Sequence, residues 1–310
     1  MTNRQFAILI ALSLTWGCSF LFIKVIVDGG VEPMGMSAVR TLFGAATLVP
    51  FAWRARSAFH QTRQTWLWML GLGVLNFAIP WTLFGVAGSH VPSGVSAVGN
   101  AAMPLWAALF SVVLLKADRL GGMRIAGLFL GFVGVIVLMS EDVTNISAGQ
   151  AGSIALILLA TCCYGISSVS IRRWLGHVPA VPLATVQVGT AAALLMPAAL
   201  LTGAFSGADF DLQVVSSLVA LGTLGSGLAV VAMMYLIQNL GPVRASVVTY
   251  IVPPIGVLLG WLVLDESIGW NLLLALAFIL SGVALVQGVG PRTLWARMPG
   301  RSLTPVPSVE

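Results

Sequence analysis

Apolar residues run along this chain in blocks of about twenty, separated by short polar links. The blocks lie at roughly 6–27, 34–53, 66–87, 93–115, 122–140, 152–172, 181–202, 213–237, 243–264 and 270–289. A helix needs about 20 apolar residues to cross the ~30 Å hydrocarbon layer, and in lipid every backbone polar group must be satisfied within its own segment. The pattern therefore predicts an all-α membrane protein of ten transmembrane helices. Its links carry turn residues, among them Asp28-Gly29-Gly30, Gly88-Ser89-His90, Gly121-Gly122, Gly207-Ala208-Asp209 and Gly241-Pro242. The first block, Phe6 to Val27, is longer than the ~7–15 residues of a signal-peptide core and is expected to stay as helix 1.

Composition agrees: of the 310 residues 58% are hydrophobic and 8% charged, with a mean hydropathy of +0.99, far outside the range of soluble chains. The net charge of +5 forms no dense basic patch, so nucleic acid is not an expected partner; the lipid bilayer is. Thirteen of the fifteen lysines and arginines, all but Lys24 and Arg40, fall in alternate links, and acidic residues such as Asp28, Glu32, Glu141, Asp209 and Glu266 fall in the others. The positive-inside rule then places both termini in the cytoplasm and the chain in the inner membrane. Cys18, Cys162 and Cys163 all lie in apolar blocks and have no metal-ligand or disulfide spacing, so no cofactor is expected.

The chain is also written twice. Trp16-Gly17 and Lys24 return as Tyr164-Gly165 and Arg172, and Pro92, Ser96 and Pro104 return as Pro242, Ser246 and Pro254. VPSGVSAVGNAAMP from Val91 aligns with GPVRASVVTYIVPP from Gly241, and FVGVIVL from Phe132 with LSGVALV from Leu280, the offset falling from 150 to 148. Each half holds five segments, and an odd number of crossings inverts the second copy relative to the first. The expected organisation is a first five-helix repeat over 1–140, a periplasmic linker over 141–150, a second repeat over 151–290 and a cytoplasmic basic tail over 291–310. Two inverted repeats are typical of secondary transporters, whose substrate lies where the halves meet.

LSLTWGCSFLFIKV in helix 1, the run from Pro33 to Arg40, the proline-centred helices 4 and 9, and the acidic residues Asp118 and Glu266 after them make the chain resemble the EamA family of the drug/metabolite transporter superfamily. The resemblance covers about residues 6–289. It implies two five-helix domains around a central cavity that moves small metabolites, often outward, and names no substrate.

Arg40 is the most unusual residue in the apolar blocks, roughly 10 Å along helix 2 from Pro33. It is read either as a cation for a substrate carboxylate or phosphate, or as a structural arginine that snorkels to Asp28 or Glu32 or bonds helix carbonyls. Lys24 lies one turn before Asp28 on the same face; it either snorkels or gates, as does its partner Arg172. On helix 4, Ser96, Asn100 and Met103 follow Ser93 along one face beside Pro104, and on helix 9 Ser246, Thr249 and Tyr250 lie beside Pro253 and Pro254. They are read as substrate contacts or as interhelical hydrogen-bonding groups. Phe77, Trp81 and Phe84 form a stripe on helix 3; Trp16 with Phe20 on helix 1 is matched by Tyr164 on helix 6, Ser19 and Ser168 on the same two helices are further candidate contacts, and Met233 adds adaptable apolar surface. Trp66, Trp68, Trp261 and Trp270 fit the interfacial belt. Gly127 and Gly131, and Gly256 and Gly260, have the spacing that lets helices approach closely.

No Asp or Glu lies in the middle of a span, which disfavours exchange of protons for cationic drugs. No GxSxG elbow, P-loop, paired carboxylates or histidine cluster supports an enzyme. The sequence thus points to a carrier, monomer or homodimer, of small metabolites such as amino acids; the alternative is an exporter of drugs or other organic cations.

Overall fold

The computed structural model describes residues 2–114, 121–138, 148–240 and 248–286, and among them there is no strand. Helix α1 spans Asn3–Asp28, α2 Pro33–Arg54, α3 Arg63–Gly88, α4 Ser93–Leu114 and α5 Gly122–Leu138. In the second half α6 spans Ala148–Trp174, α7 Ala180–Thr202, α8 residues 212–240, α9 Val248–Leu264 and α10 Trp270–Val286. Seven of these are long and apolar enough to cross a membrane; α5, the Ile251–Leu264 part of α9, and α10 are shorter apolar helices.

Local chemistry sets the ends. Thr2 and Gln5 close a capping box on α1, Thr62 caps α3, and the Asp211 carboxylate accepts from Val214 N–H at 2.7 Å to cap α8. Pro33 starts α2, where its missing N–H costs nothing. Gly203, at φ 69°, ends α7 in the left-handed region, and Ala204 N–H bonds back to Ala199 C=O at 2.9 Å. The start of α4 is capped from far away: the Glu266 carboxylate accepts from Ser93 N–H (2.6 Å), Ser93 hydroxyl (3.0 Å) and Gly94 N–H (3.1 Å). A carboxylate there also complements the positive end of the helix dipole.

Three helices are interrupted. A π-helical turn occupies Val74–Ala78 in α3 and another Thr223–Leu228 in α8. Pro80 follows the first and cannot donate to the Asn76 carbonyl; a widened turn relieves the clash of its ring with that carbonyl. In the second, the Ser226 hydroxyl donates to the Leu221 carbonyl five residues back, at 2.9 Å. Helix α4 breaks at Ala101-Ala102, just before Pro104, and Leu105 N–H bonds Ala102 C=O at 3.0 Å.

The helices pack in matched pairs. α5 lies on α10 and α2 on α7; α1 lies on α9, as α6 does on α4; α1 lies on α8, as α6 does on α3. The π turn of α3 lies on α7, and that of α8 on α2. Advancing the helix numbers by five returns α5–α10 and α2–α7 to themselves and carries the two α1 pairings into the two α6 pairings. Glycines make the closest approaches possible. A Cβ on Gly282 of α10 would lie 2.5 Å from Gly131 N of α5, and one on Gly127 2.7 Å from Gly282 O. Gly17 faces Ile255 and Gly165 faces Trp106 in the α1–α9 and α6–α4 contacts, so the repeated Trp-Gly and Tyr-Gly pairs each place a glycine against the proline-bearing helix. Gly256 fits against Ala97, and Gly260 against Ser93.

At one end of the bundle, Asp209 N–H donates to Gly29 C=O (3.0 Å), Glu32 N–H to Ala204 C=O (3.3 Å), and Lys24 Nζ to Asp28 (2.9 Å) and Gly88 C=O (3.3 Å). At another place Phe59 and Trp66 pack with Leu175 and Val178. Trp68 belongs there too. It stacks on Trp174 at 4.2 Å and 7°, a packing contact between α3 and α6, and both rings stay half-buried. Trp261 and Trp270 remain exposed, as do large apolar side chains such as Phe129, Val113 and Leu201. An apolar exterior of this extent suits lipid.

The α5–α10 seam yields a test. Gly282→Ala, whose methyl would press on backbone atoms that cannot turn aside, is expected to lower stability by about 1–3 kcal/mol. Gly71→Ala, where nothing lies within 4 Å, is expected to be neutral or slightly stabilising. Thermal unfolding of both variants in detergent checks the contrast.

Candidate substrate site

Arg40 lies on α2 only 6% exposed, and its partners come from two other helices. Its Nε donates to the Ser226 hydroxyl at 2.8 Å, and its guanidinium carbon stands 3.8 Å from the centre of the Trp81 ring. The pairing with Asp28 or Glu32 expected for a structural Arg40 is not what forms. Asp28 is held by Lys24, while the π turn of α8 turns Ser226 toward α2 at the depth the arginine reaches. Gly222, just before that turn, lets the two backbones close: a Cβ there would collide with Phe43 and lie 3.2 Å from Arg40 C=O.

Trp81 is the hub of the surrounding aromatic group. Phe77 meets its ring edge-on at 4.9 Å, Tyr164 packs on the same cluster, and Phe84 stacks over Tyr164 at 6.3 Å. A cation held against an indole face in a dry interior is worth about 2 kcal/mol. Trp16 and Ser19 join from α1 at the π turn of α8. The Trp16 indole N–H donates to Gly225 C=O at 3.2 Å, and a Cβ on Gly225 would lie 2.8 Å from the Ser19 hydroxyl.

The other residues expected at the site are placed as follows. Ser19 and Ser168 hydroxyls donate within their own helices, to Thr15 C=O at 3.0 Å and Gly165 C=O at 2.9 Å. Ser96 is buried with its hydroxyl unpartnered, and half-buried Asn100 and Met103 flank the break in α4. Met233 packs on the core that includes Phe20 and Phe84. Ser246 lies outside the described residues, as do the side chains of Thr249 and Tyr250, although their backbone belongs to α9. Lys24 is tied to Asp28 and to the end of α3, while Arg172 is exposed.

Two residues that the sequence analysis passed over belong to this layer. Asn76, inside the π turn of α3, donates from Nδ2 to Gln187 Oε1 of α7 at 3.1 Å. Gln187 is 1% exposed. Both are carboxamides in the middle of apolar blocks, which is the signal that would have found them.

Comparison with known proteins gives this arrangement its class. The profile of the EamA-like transporter family matches the chain twice, over residues 5–140 and 151–287. The chain is 32% identical over 290 residues to the uncharacterized inner membrane transporter YedA of Escherichia coli (strain K12), covering 91% of this chain and 90% of that one. It is 23% identical to the uncharacterized transporter YoaV of Bacillus subtilis (strain 168), over 89% and 94% of the two chains. A solved crystal structure, 22% identical, superposes with a TM-score of 0.65 over 94% of this chain and 99% of its own, and shows the shared fold. The chain belongs to the EamA-like transporter family. It is an integral membrane protein that transports small molecules, and not an enzyme.

Ser226→Ala would leave the Arg40 Nε–H without its partner in a dry site. The expected loss is about 1–3 kcal/mol, read as a lower unfolding temperature, with Ser226→Thr recovering most of it.

Proposed function

We propose that this protein is a ten-span carrier of the inner membrane, both termini in the cytoplasm, that moves small zwitterionic metabolites, amino acids above all, outward by alternating access. The observation that carries the cargo class is the charge state of the centre. Arg40 is buried against a hydroxyl and an indole face, neither of which carries a charge, and among the described residues the recorded ion pair is Lys24–Asp28. A buried guanidinium without a counter-ion is costly. A cargo carboxylate supplies that counter-ion, so binding recovers part of the desolvation cost. The organic-cation alternative fits less well, because Arg40 already occupies the face of Trp81 that a cation would seek and would repel it.

Inverted repetition is supported by the two family matches and by the correspondence of the α1–α9 and α1–α8 pairings with α6–α4 and α6–α3. The contacts that gather Gly29, Glu32, Ala204 and Asp209 at one end agree with the sorting of acidic links to one side. Widened turns at equivalent places in α3 and α8 supply points where the two halves can bend. The outward direction follows the family expectation.

Uptake into proteoliposomes tests the cargo. Arg40→Gln is expected to abolish exchange of carboxylate-bearing substrates while inserting normally, and Arg40→Lys to weaken it by roughly tenfold or more, since an ammonium cannot reproduce the planar fork. Unchanged exchange in Arg40→Gln would remove Arg40 from the binding role. Alkaline phosphatase fusions are expected to be active after residues 30 and 208 and inactive after residues 60 and 177, which checks the orientation.

A further inference from the structure

The contact between Arg40 and Ser226 has a double. Gln187 stands on α7 as Arg40 does on α2, each beside a glycine that precedes a π turn: Gly222 abuts Arg40 C=O and Phe43, and Gly73 abuts Gln187 C=O and Thr190. Each sends its side chain to a polar residue inside that turn, Arg40 to Ser226 and Gln187 to Asn76. The two pairs are therefore copies of one interaction, charged in one half and neutral in the other. The helices that carry them, α2 and α7, pack on each other. A Cβ on Gly44 would lie 3.2 Å from Ser226 Cβ and 3.3 Å from Val188 Cγ1, so the Arg40 contact and the neighbour of Gln187 meet across one point of α2. Val188 and Trp81, the ring that carries the guanidinium, share one cluster.

The neutral pair is unfinished. Gln187 is almost fully buried, and its Nε2 has no hydrogen-bond partner. Asn76 spends its own amide hydrogen on Gln187 Oε1, which leaves its Oδ1 as an acceptor on a half-buried residue. One donor and one acceptor thus remain side by side, without net charge. An unmade hydrogen bond in a dry site is expensive, and a ligand that makes it is selected over an isostere that does not.

We propose that Asn76 and Gln187 form a second polar anchor of the transport site, and that it takes a hydroxyl or carboxamide on the side chain of the cargo. This rests on the reading of Arg40 as the carboxylate anchor. A hydroxyl or carboxamide both donates and accepts, so it completes the pair; a hydrocarbon leaves Gln187 Nε2 unpaired, and an ionised side chain is desolvated there without a counter-charge. The substrate class is then small amino acids with neutral polar side chains.

Isosteric ligands separate the two anchors. Purified full-length protein in detergent is titrated with threonine against valine and with asparagine against leucine, and thermal stabilisation gives the affinities. Wild type is expected to favour the polar member of each pair by about tenfold or more. Gln187→Met should bring each pair to equal affinity without weakening valine or leucine, while Arg40→Gln should remove binding of all four. Asn76→Ala, on the more exposed partner, repeats the comparison should Gln187→Met not fold. A wild-type preference kept in both variants, or an equal loss across all four ligands in the variant that folds, overturns the second anchor alone. No stabilisation of wild type by any of the four overturns the carboxylate reading, and the second anchor with it.

Discussion

A guanidinium held away from water is the constraint around which the centre of this protein is arranged. Desolvating Arg40 costs several kcal/mol in a low-dielectric interior, and its surroundings each offset part of that cost. The Ser226 hydroxyl accepts one of its five donors, and the face of Trp81, backed by Phe77 and Tyr164, offers the quadrupole of an indole. None of this assembles unless α2 and α8 come within backbone distance. Gly222 and Gly44 permit that approach, and the π turn rotates Ser226 inward. Chemistry at one side chain thus depends on glycines and a backbone irregularity on helices far away in sequence.

The same scaffold in the other half carries a carboxamide pair. Duplication supplies equivalent positions, and substitution at those positions decides which bear charge. The halves are alike where they contact by glycine, at Gly17 and Gly165 or Gly73 and Gly222, and unlike where they present polar atoms, at Arg40 and Gln187 or Ser226 and Asn76. Close packing tolerates little change because an added methyl meets backbone. A polar tip in a widened turn has more freedom, so these two pairs can diverge while the frame stays fixed.

Much of the frame was legible in the sequence, because apolar block length and turn residues are local properties. Lys24 and Asp28 were placed together correctly by helical spacing alone, and the glycine spacings in α5 and α9 marked real close approaches. The partner of Arg40 was not legible. Ser226 is 186 residues away, and the π turn that presents it adds a residue to the turn, which breaks the periodicity used to assign faces. The stacking of Trp68 on Trp174 was not legible for a related reason: composition marks a tryptophan as suited to the interface, but only the fold brings these two rings together. Asn76 and Gln187 were visible as polar residues in apolar blocks, yet their significance depends on aligning α2 with α7, where few identical residues guide the match.

The seam between α5 and α10 differs in kind from these contacts. At Gly127 and Gly282 backbone sets directly against backbone, while Ile279 packs over Gly134 and joins Val135 and Leu138 in one cluster, so glycine contacts and interlocked side chains alternate along the seam. A joint of that sort leaves little room for a change of register, because a shift along the axis would drive side chains into the places where only glycine fits. Because α5 closes the first half and α10 the second, this seam fastens the two halves to each other along their last helices.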